Sequence, residues 1–249
     1  NTGALPARIS GNAIYNNGTS NGGGIRLINT KVTVSDNLIH HNNATNAGGG
    51  LYVSGGLPEI TGNRFINNMA VLYGGGLFLD NANPKITSNL LANNTAGDSL
   101  FGAGGAIACF MNASPVLISN TIVNNYAQSG GGINFLSECY PLVKNCILYG
   151  NQAVSGPQIA LEDPMADPVI DHCDIEGGIA GFGGSGSGNE YDPAGYTNNL
   201  DTLPGFLSPS PGAGPGEAVP VVPVDLPEER ADGAQPRQAR ELVHGGDEE

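Results

Sequence analysis

Gly48-Gly49-Gly50-Leu51-Tyr52-Val53 returns 26 residues later as Gly74-Gly75-Gly76-Leu77-Phe78-Leu79. The phrase stands upstream as Gly22-Gly23-Gly24-Ile25. Downstream it recurs as Gly104-Gly105-Ala106-Ile107 and Gly130-Gly131-Gly132-Ile133, with a weaker copy at Ser155-Gly156-Pro157-Gln158-Ile159. The apolar anchors closing these copies are 26, 26, 30, 26 and 26 residues apart. Other columns keep the same phase. One runs Asn12, Asn37, Asn63, Asn89 and Asn120, then Cys146 and Cys173. Two residues beyond each lies an apolar residue: Ile14, Ile39, Phe65, Leu91, Ile122, Leu148, Ile175. Asn17, Asn42, Asn68, Asn94, Asn125 and Asn151 form a second asparagine column, and Pro58, Pro84, Pro115, Pro141 and Pro168 a proline column. A fixed period in this range marks stacked units, each too small to bury its own apolar face.

The units are built of strands. Ile25-Arg26-Leu27 alternates apolar, polar, apolar, as a half-buried strand does. By the same rule Leu27, Val53, Leu79, Cys109, Phe135 and Leu161 face a core, while Arg26, Tyr52 and Phe78 face outward. Short strands at a constant phase predict an all-β solenoid of about seven coils, in which like residues stack at the ~4.8 Å strand spacing. The ladder asparagines are expected at sharp corners, in the left-handed backbone that Asn tolerates, with each amide bonding the next in the stack.

The repeats Gly-Gly-(Gly/Ala)-apolar and Phe65-Ile66-Asn67-Asn68 resemble those of polymorphic outer-membrane proteins, which alternate a GGA-type motif with an FxxN motif. More broadly, the pattern resembles secreted bacterial right-handed parallel β-helix proteins of the pectin-lyase-like superfold. The resemblance covers about residues 9–178. It implies a right-handed parallel β-helix and a bacterial, extracellular or outer-surface location. It does not imply catalysis, because this superfold carries enzymes, adhesins and plain scaffolds.

Composition sets limits. With 39 glycines, no tryptophan and 13% charged residues, the chain is neither a coiled coil nor a helical bundle. The net charge of −14 is unevenly placed. Up to Pro157 there are five acids and six bases; the remainder holds eighteen acids and three bases. Neither part offers the basic surface that nucleic-acid binding needs. No apolar run approaches the ~18 residues of a membrane span. The start at Asn1, without Met, is read as a mature or excised fragment. The solenoid is expected to occupy 1–207, with regular coils over about 9–178 and a degenerate last coil and loop over 179–207. An acidic, proline-rich linker or tail follows at 208–249, largely irregular because its composition buries too little to fold alone.

Sites in solenoids tend to lie where the period is broken. The long coil between Asn94 and Ile107 carries Asp98 and Phe101 on an extra loop, read either as ligand contacts or as a tolerated insertion. Arg26, Tyr52 and Phe78 offer a cation and two aromatics on successive coils, a platform suited to a sugar face or a protein partner. Asp36, His40, His41 and Arg64 fall on neighbouring rungs. They are the candidate catalytic set, since a polysaccharide lyase needs a base beside a group that neutralises the substrate carboxylate. Asp163, Asp167 and Asp171 are the candidate calcium ligands, with a solvated acidic face as the alternative; no other cofactor is expected. Cys146 and Cys173, on successive rungs, are spaced for either a disulfide or a stacked thiol pair. Glu59 stacks over Lys85 as a surface ion pair of little weight. Three functions stay open: a non-catalytic adhesin-like or structural surface module, a lyase acting on acidic polysaccharide, and a glycan-binding module. Their partners would be a polysaccharide or a cell-surface protein.

Overall fold

The computed structural model describes residues 7–97, 101–185 and 193–204. The compact unit ends at Pro204; the tail at 208–249 lies outside the described residues. Every strand pairing is parallel, and no α-helix occurs among the described residues. The chain winds as a right-handed β-helix of about seven turns. Among the described residues no helix is long and apolar enough to cross a membrane.

Each full coil visits four sheets. The first stacks eight strands from Arg8–Ser10 through Glu59–Thr61 to Tyr196–Thr197, and the second stacks seven from Ala13–Tyr15 through Arg64–Ile66 to Asp174–Ile175. The third is a ribbon of four: Gly18–Asn21, Asn43–Ala47, Met69–Ala70 and Thr95–Ala96. The fourth stacks six strands from Ile25–Thr30 through Leu77–Asp80 to Ile159–Leu161. Register follows the sequence phase: Leu51 pairs Leu77, Phe65 pairs Ile39 and Leu91, and Lys85 pairs Glu59.

The core is a set of stacked columns. The first sheet contributes Val34, Ile60, Ile86, Leu117, Val143 and Ile170, and the second contributes Ile39, Phe65, Leu91, Ile122, Leu148 and Ile175, all fully buried. The fourth sheet supplies both anchor columns, and all six residues expected to face inward are buried there. Each fully buried aliphatic or aromatic side chain is worth about 1.5–3 kcal/mol. The prolines stand just before strands of the first sheet. Having no N–H, they leave that side of the ladder empty, while the Pro58 carbonyl accepts from Lys85 N at 3.1 Å.

Both asparagine columns are buried hydrogen-bond ladders. Asn63 donates its backbone N–H and its amide to Asn89 Oδ1, at 2.8 and 3.0 Å, and donates to the Val34 carbonyl at 2.8 Å. Its own Oδ1 accepts from the Asn37 backbone and amide at 3.0 and 2.9 Å. Every donor and acceptor of the amide is used, which is the condition for burying it without penalty. The ladder asparagines are not the left-handed residues, contrary to expectation. The residue before each one is. Asp36, Ser88, Ser119, Asn145 and His172 hold φ of 53–56° before the first ladder, and Asn16, His41, Asn67, Asn93 and Asn124 hold 53–56° before the second. The corner thus divides its work: one residue turns the backbone and points out, and the next points in and bonds.

The first ladder continues through the cysteines. Asn120 N donates to Cys146 Sγ and Cys146 N to Cys173 Sγ, both at 3.4 Å, and Cys173 N donates to Asn199 Oδ1 at 2.7 Å. All four cysteines are free thiols. A further partial coil follows, in which Tyr196–Thr197 adds to the first sheet and Asn199 restores the ladder.

Candidate functional site

The fourth sheet turns one face to the core and one outward, and the outward face is where the coils differ. The middle outward column reads Arg26, Tyr52, Phe78, Ala108, Asn134 and Ala160. The next outward position carries Ser54, Asp80 and Phe110. Alternation predicts Phe78 as exposed, but it is only 6% exposed. Tyr52 stacks on it with ring centroids 5.4 Å apart and planes at 25°; Tyr73 lies at 5.8 Å and Phe110 at 6.4 Å. Small neighbours, Ala47 and Ala108, let these rings settle around Phe78 in a satellite cluster outside the solenoid core.

The result is a cleft of ≈ 280 Å³ lined by Asn46, Tyr52, Tyr73, Phe78, Asp80 and Phe110, with Ala47 and Leu136 also in its walls. Its size is at the lower edge of the usual range for small-ligand sites. Asp80 is held at the rim: Tyr52 Oη and Ser54 Oγ both donate to its Oδ2 at 3.2 Å. Burial and the Asp80 carboxylate raise the Tyr52 pKa, so the phenol stays a protonated donor. Arg26 lies over the outer face of the Tyr52 ring, 5.6 Å from its centroid, and makes a cation–π contact. The cleft thus joins aromatic faces to a fixed carboxylate, a side-chain amide and phenol hydroxyls.

Sequence reasoning found Tyr52 and Phe78 but missed Tyr73, Asp80 and Phe110. The signal was present. Asp80 and Phe110 share one phase position after the anchor. Tyr73 occupies the column Ala47, Tyr73, Ala103, Ser129, Ser155, where it is the single aromatic.

The other candidates fall elsewhere. Phe101 is 74% exposed on the extra loop, and Asp98 lies outside the described residues. His40 and His41 meet, Nδ1 to Nδ1, at 2.8 Å, and burial with the neighbouring imidazole lowers the His40 pKa. Arg64 stands opposite Leu38 and Leu90 rather than His40, with Nε and Nη2 buried and unpaired. Asp36 lies 3.9 Å from the Arg8 guanidinium at an exposed corner. Among the described residues no hydrogen bond or ion pair joins Asp36 or Arg64 to the histidines.

The aspartates at 163, 167 and 171 are likewise separate. Asp163 accepts from the Met165 and Glu138 backbones, and the Asp167 backbone bonds the Cys139 carbonyl. The Asp171 carboxylate is taken up by Asn198, Lys144, His172 and Thr197, which hold its pKa well below the usual range. Among the described residues no three His, Cys, Asp or Glu side chains are gathered where they could hold one ion together, so the aspartates form no calcium site.

The model of the family described as "Right handed beta helix region" matches residues 2–126 and, again, 74–195. No curated protein and no solved structure matches the chain.

Proposed function

Because the chain belongs to the right-handed β-helix family, whose members share an architecture and not a chemistry, we propose from the cleft that it is a non-catalytic recognition module of the cell surface or extracellular space, adhesin-like, that binds a glycan. The observation that carries this reading is the group of four rings, Tyr52, Tyr73, Phe78 and Phe110, around one cleft with Asp80 fixed at its rim. A pyranose offers an apolar C–H face that packs on such rings. Its hydroxyls donate to a carboxylate and accept from phenols and amides. Tyr52, Phe78 and Phe110 come from stacked strands and Tyr73 from a position bridged to both neighbouring coils, so little ordering opposes binding. The repeat resemblance supports the surface location, and a bacterial polysaccharide fits as the partner.

Binding is checked by tyrosine fluorescence, for which the absence of tryptophan leaves a clean signal. The protein is titrated with a panel of neutral and acidic oligosaccharides. Tyr52→Ala and Tyr73→Ala are each expected to weaken retention at least tenfold, the loss of ~1.4 kcal/mol or more typical of an aromatic anchor. Asp80→Asn should weaken it less and leave the fold unchanged. Retention that survives both tyrosine substitutions, or a panel on which nothing binds, overturns the reading in favour of a protein partner or a plain structural stalk.

A further inference from the structure

On a different face from the cleft, at the corner after the second-sheet strand Leu38–His40, two imidazoles are brought together. His40 and His41 present Nδ1 atoms 2.8 Å apart, with their rings nearly perpendicular at 85°. Neither ring is loosely placed. His40 stacks on Tyr15 of the preceding coil, centroids 4.9 Å apart and planes at 13°. His41 Nε2 lies 3.4 Å from the Asn67 amide nitrogen of the following coil. Thus Asn67 donates to His41 Nε2, His41 donates Nδ1–H to His40 Nδ1, and the His40 lone pair is the end of the chain. Side chains from three successive coils fix this one N–H···N contact.

We propose that His40 and His41 form a divalent transition-metal site, of the Cu(II) or Ni(II) class, in which the metal takes the place of the shared proton. The bite is the first argument. Two imidazole nitrogens each about 2.0–2.1 Å from a metal and at right angles to each other lie about 2.9 Å apart, the cis arrangement of a square-planar or tetragonal centre. The observed 2.8 Å matches it, and is too short for the wider tetrahedral angle that zinc prefers. The second argument is tautomer chemistry. On binding, the His41 proton moves from Nδ1 to Nε2, and each Nδ1 lone pair forms one bond to the metal. Asn67 then turns its amide so that Oδ1 accepts the Nε2–H, the outer-shell contact that orients a metal-bound imidazole. A turn of the exposed His41 ring aims both lone pairs at one point. Two protein donors leave the remaining positions to water or to a group brought by another molecule.

The repeat supplies variants that keep the fold. His41 holds φ 53°, and the same corner carries asparagine at Asn16, Asn67, Asn93 and Asn124, so His41→Asn preserves the turn. The His40 position carries alanine at Ala92, its counterpart in the stack, so His40→Ala has a precedent two coils on. The full chain, freed of metal by chelation, is titrated with copper(II) chloride by calorimetry, and the loaded protein is read by electron paramagnetic resonance. One equivalent is expected, with two nitrogen donors in its spectrum. His40→Ala and His41→Asn should each weaken binding at least tenfold, and Asn67→Ala severalfold with both nitrogens still coordinated. His172→Asn and His244→Ala are the controls and should leave the equivalent in place. Copper retained by the His40→Ala/His41→Asn double variant, lost in the controls, or not bound by the wild type overturns the proposal.

Discussion

The two residues at each asparagine corner have separate tasks, and substitutions at each should separate accordingly. The left-handed position is filled by Asn, Asp or Gly at most corners, by His41 and His172 at two, and by Ser88 and Ser119 at two more. A residue with a Cβ carries roughly 1–2 kcal/mol of strain there, part of which glycine returns as freedom in the unfolded chain. Ser88→Gly and Ser119→Gly are therefore expected to raise stability by about 0.5–1 kcal/mol each, seen as a higher urea midpoint; a lower midpoint would mean that the hydroxyls matter. The ladder position behaves oppositely. Asn94 Oδ1 accepts from the Asn68 backbone and amide, and its Nδ2 donates to the Phe65 carbonyl and Asn125. Asn94→Ala leaves buried groups unpaired on two sides and should cost about 3 kcal/mol or more. Asn94→Cys should cost less, since Cys146 shows that a thiol still accepts the N–H of the preceding rung.

Strand alternation told the direction of each side chain but not its cover. The inward columns were readable because a period of two allows only two faces, and every inward residue expected from it is buried. Phe78 points outward as read. It is covered because Tyr73, five residues earlier in the same coil, and Phe110 of the next coil reach over it, a lateral packing that no single strand encodes. The candidate site was thus half legible: its two central rings lay in one visible column, and its rim lay in columns that look ordinary until they are set side by side. Cys139 shows the same limit. It sits in a connection without regular structure, yet its side chain is fully buried against the core. Burial pushes its thiol up to about 11, and burial and Cys139 push Cys109 well above its ordinary value. Hydrogen bonding to Cys146, reinforced by burial, pushes Cys173 well above the ordinary range. Such thiols stay protonated when folded, so their contribution is complete below pH ~9 and is lost as pH rises through 11. An alkaline urea series should therefore show the midpoint falling between pH 9 and 11. An aromatic disulfide reagent at pH 8 should find no reactive thiol in the native protein and four after unfolding. Fast labelling of the native chain would contradict the buried placement.

Each coil touches only its neighbours, so the solenoid is a linear array and its stability is a sum of coil and interface contributions. Whole coils are then removable in a way that parts of coils are not. Leu142 and Val169 stand in register in the first sheet. Deleting residues 143–169 joins Leu142 to Ile170 in the same phase and should leave a cooperatively folded β protein by circular dichroism, with the aromatic cleft intact. Shortening that deletion by one residue reverses the inward and outward faces beyond the junction and should abolish cooperative unfolding. The phase constraint that made the fold readable from glycine triplets is the same constraint that makes this pair of deletions differ. The ladders add a property that belongs to no single coil. Along the runs from Asn12 to Asn120 and from Asn17 to Asn151, each side-chain amide donates to the Oδ1 of the ladder asparagine one coil further on. The stack therefore has a head and a tail, with acceptors facing one way and donors the other. Like ends brought together by a two-fold axis would set acceptor against acceptor or donor against donor. Any assembly that prolongs the ladders is consequently polar and open-ended, a growing thread with a fixed direction, and never a closed pair.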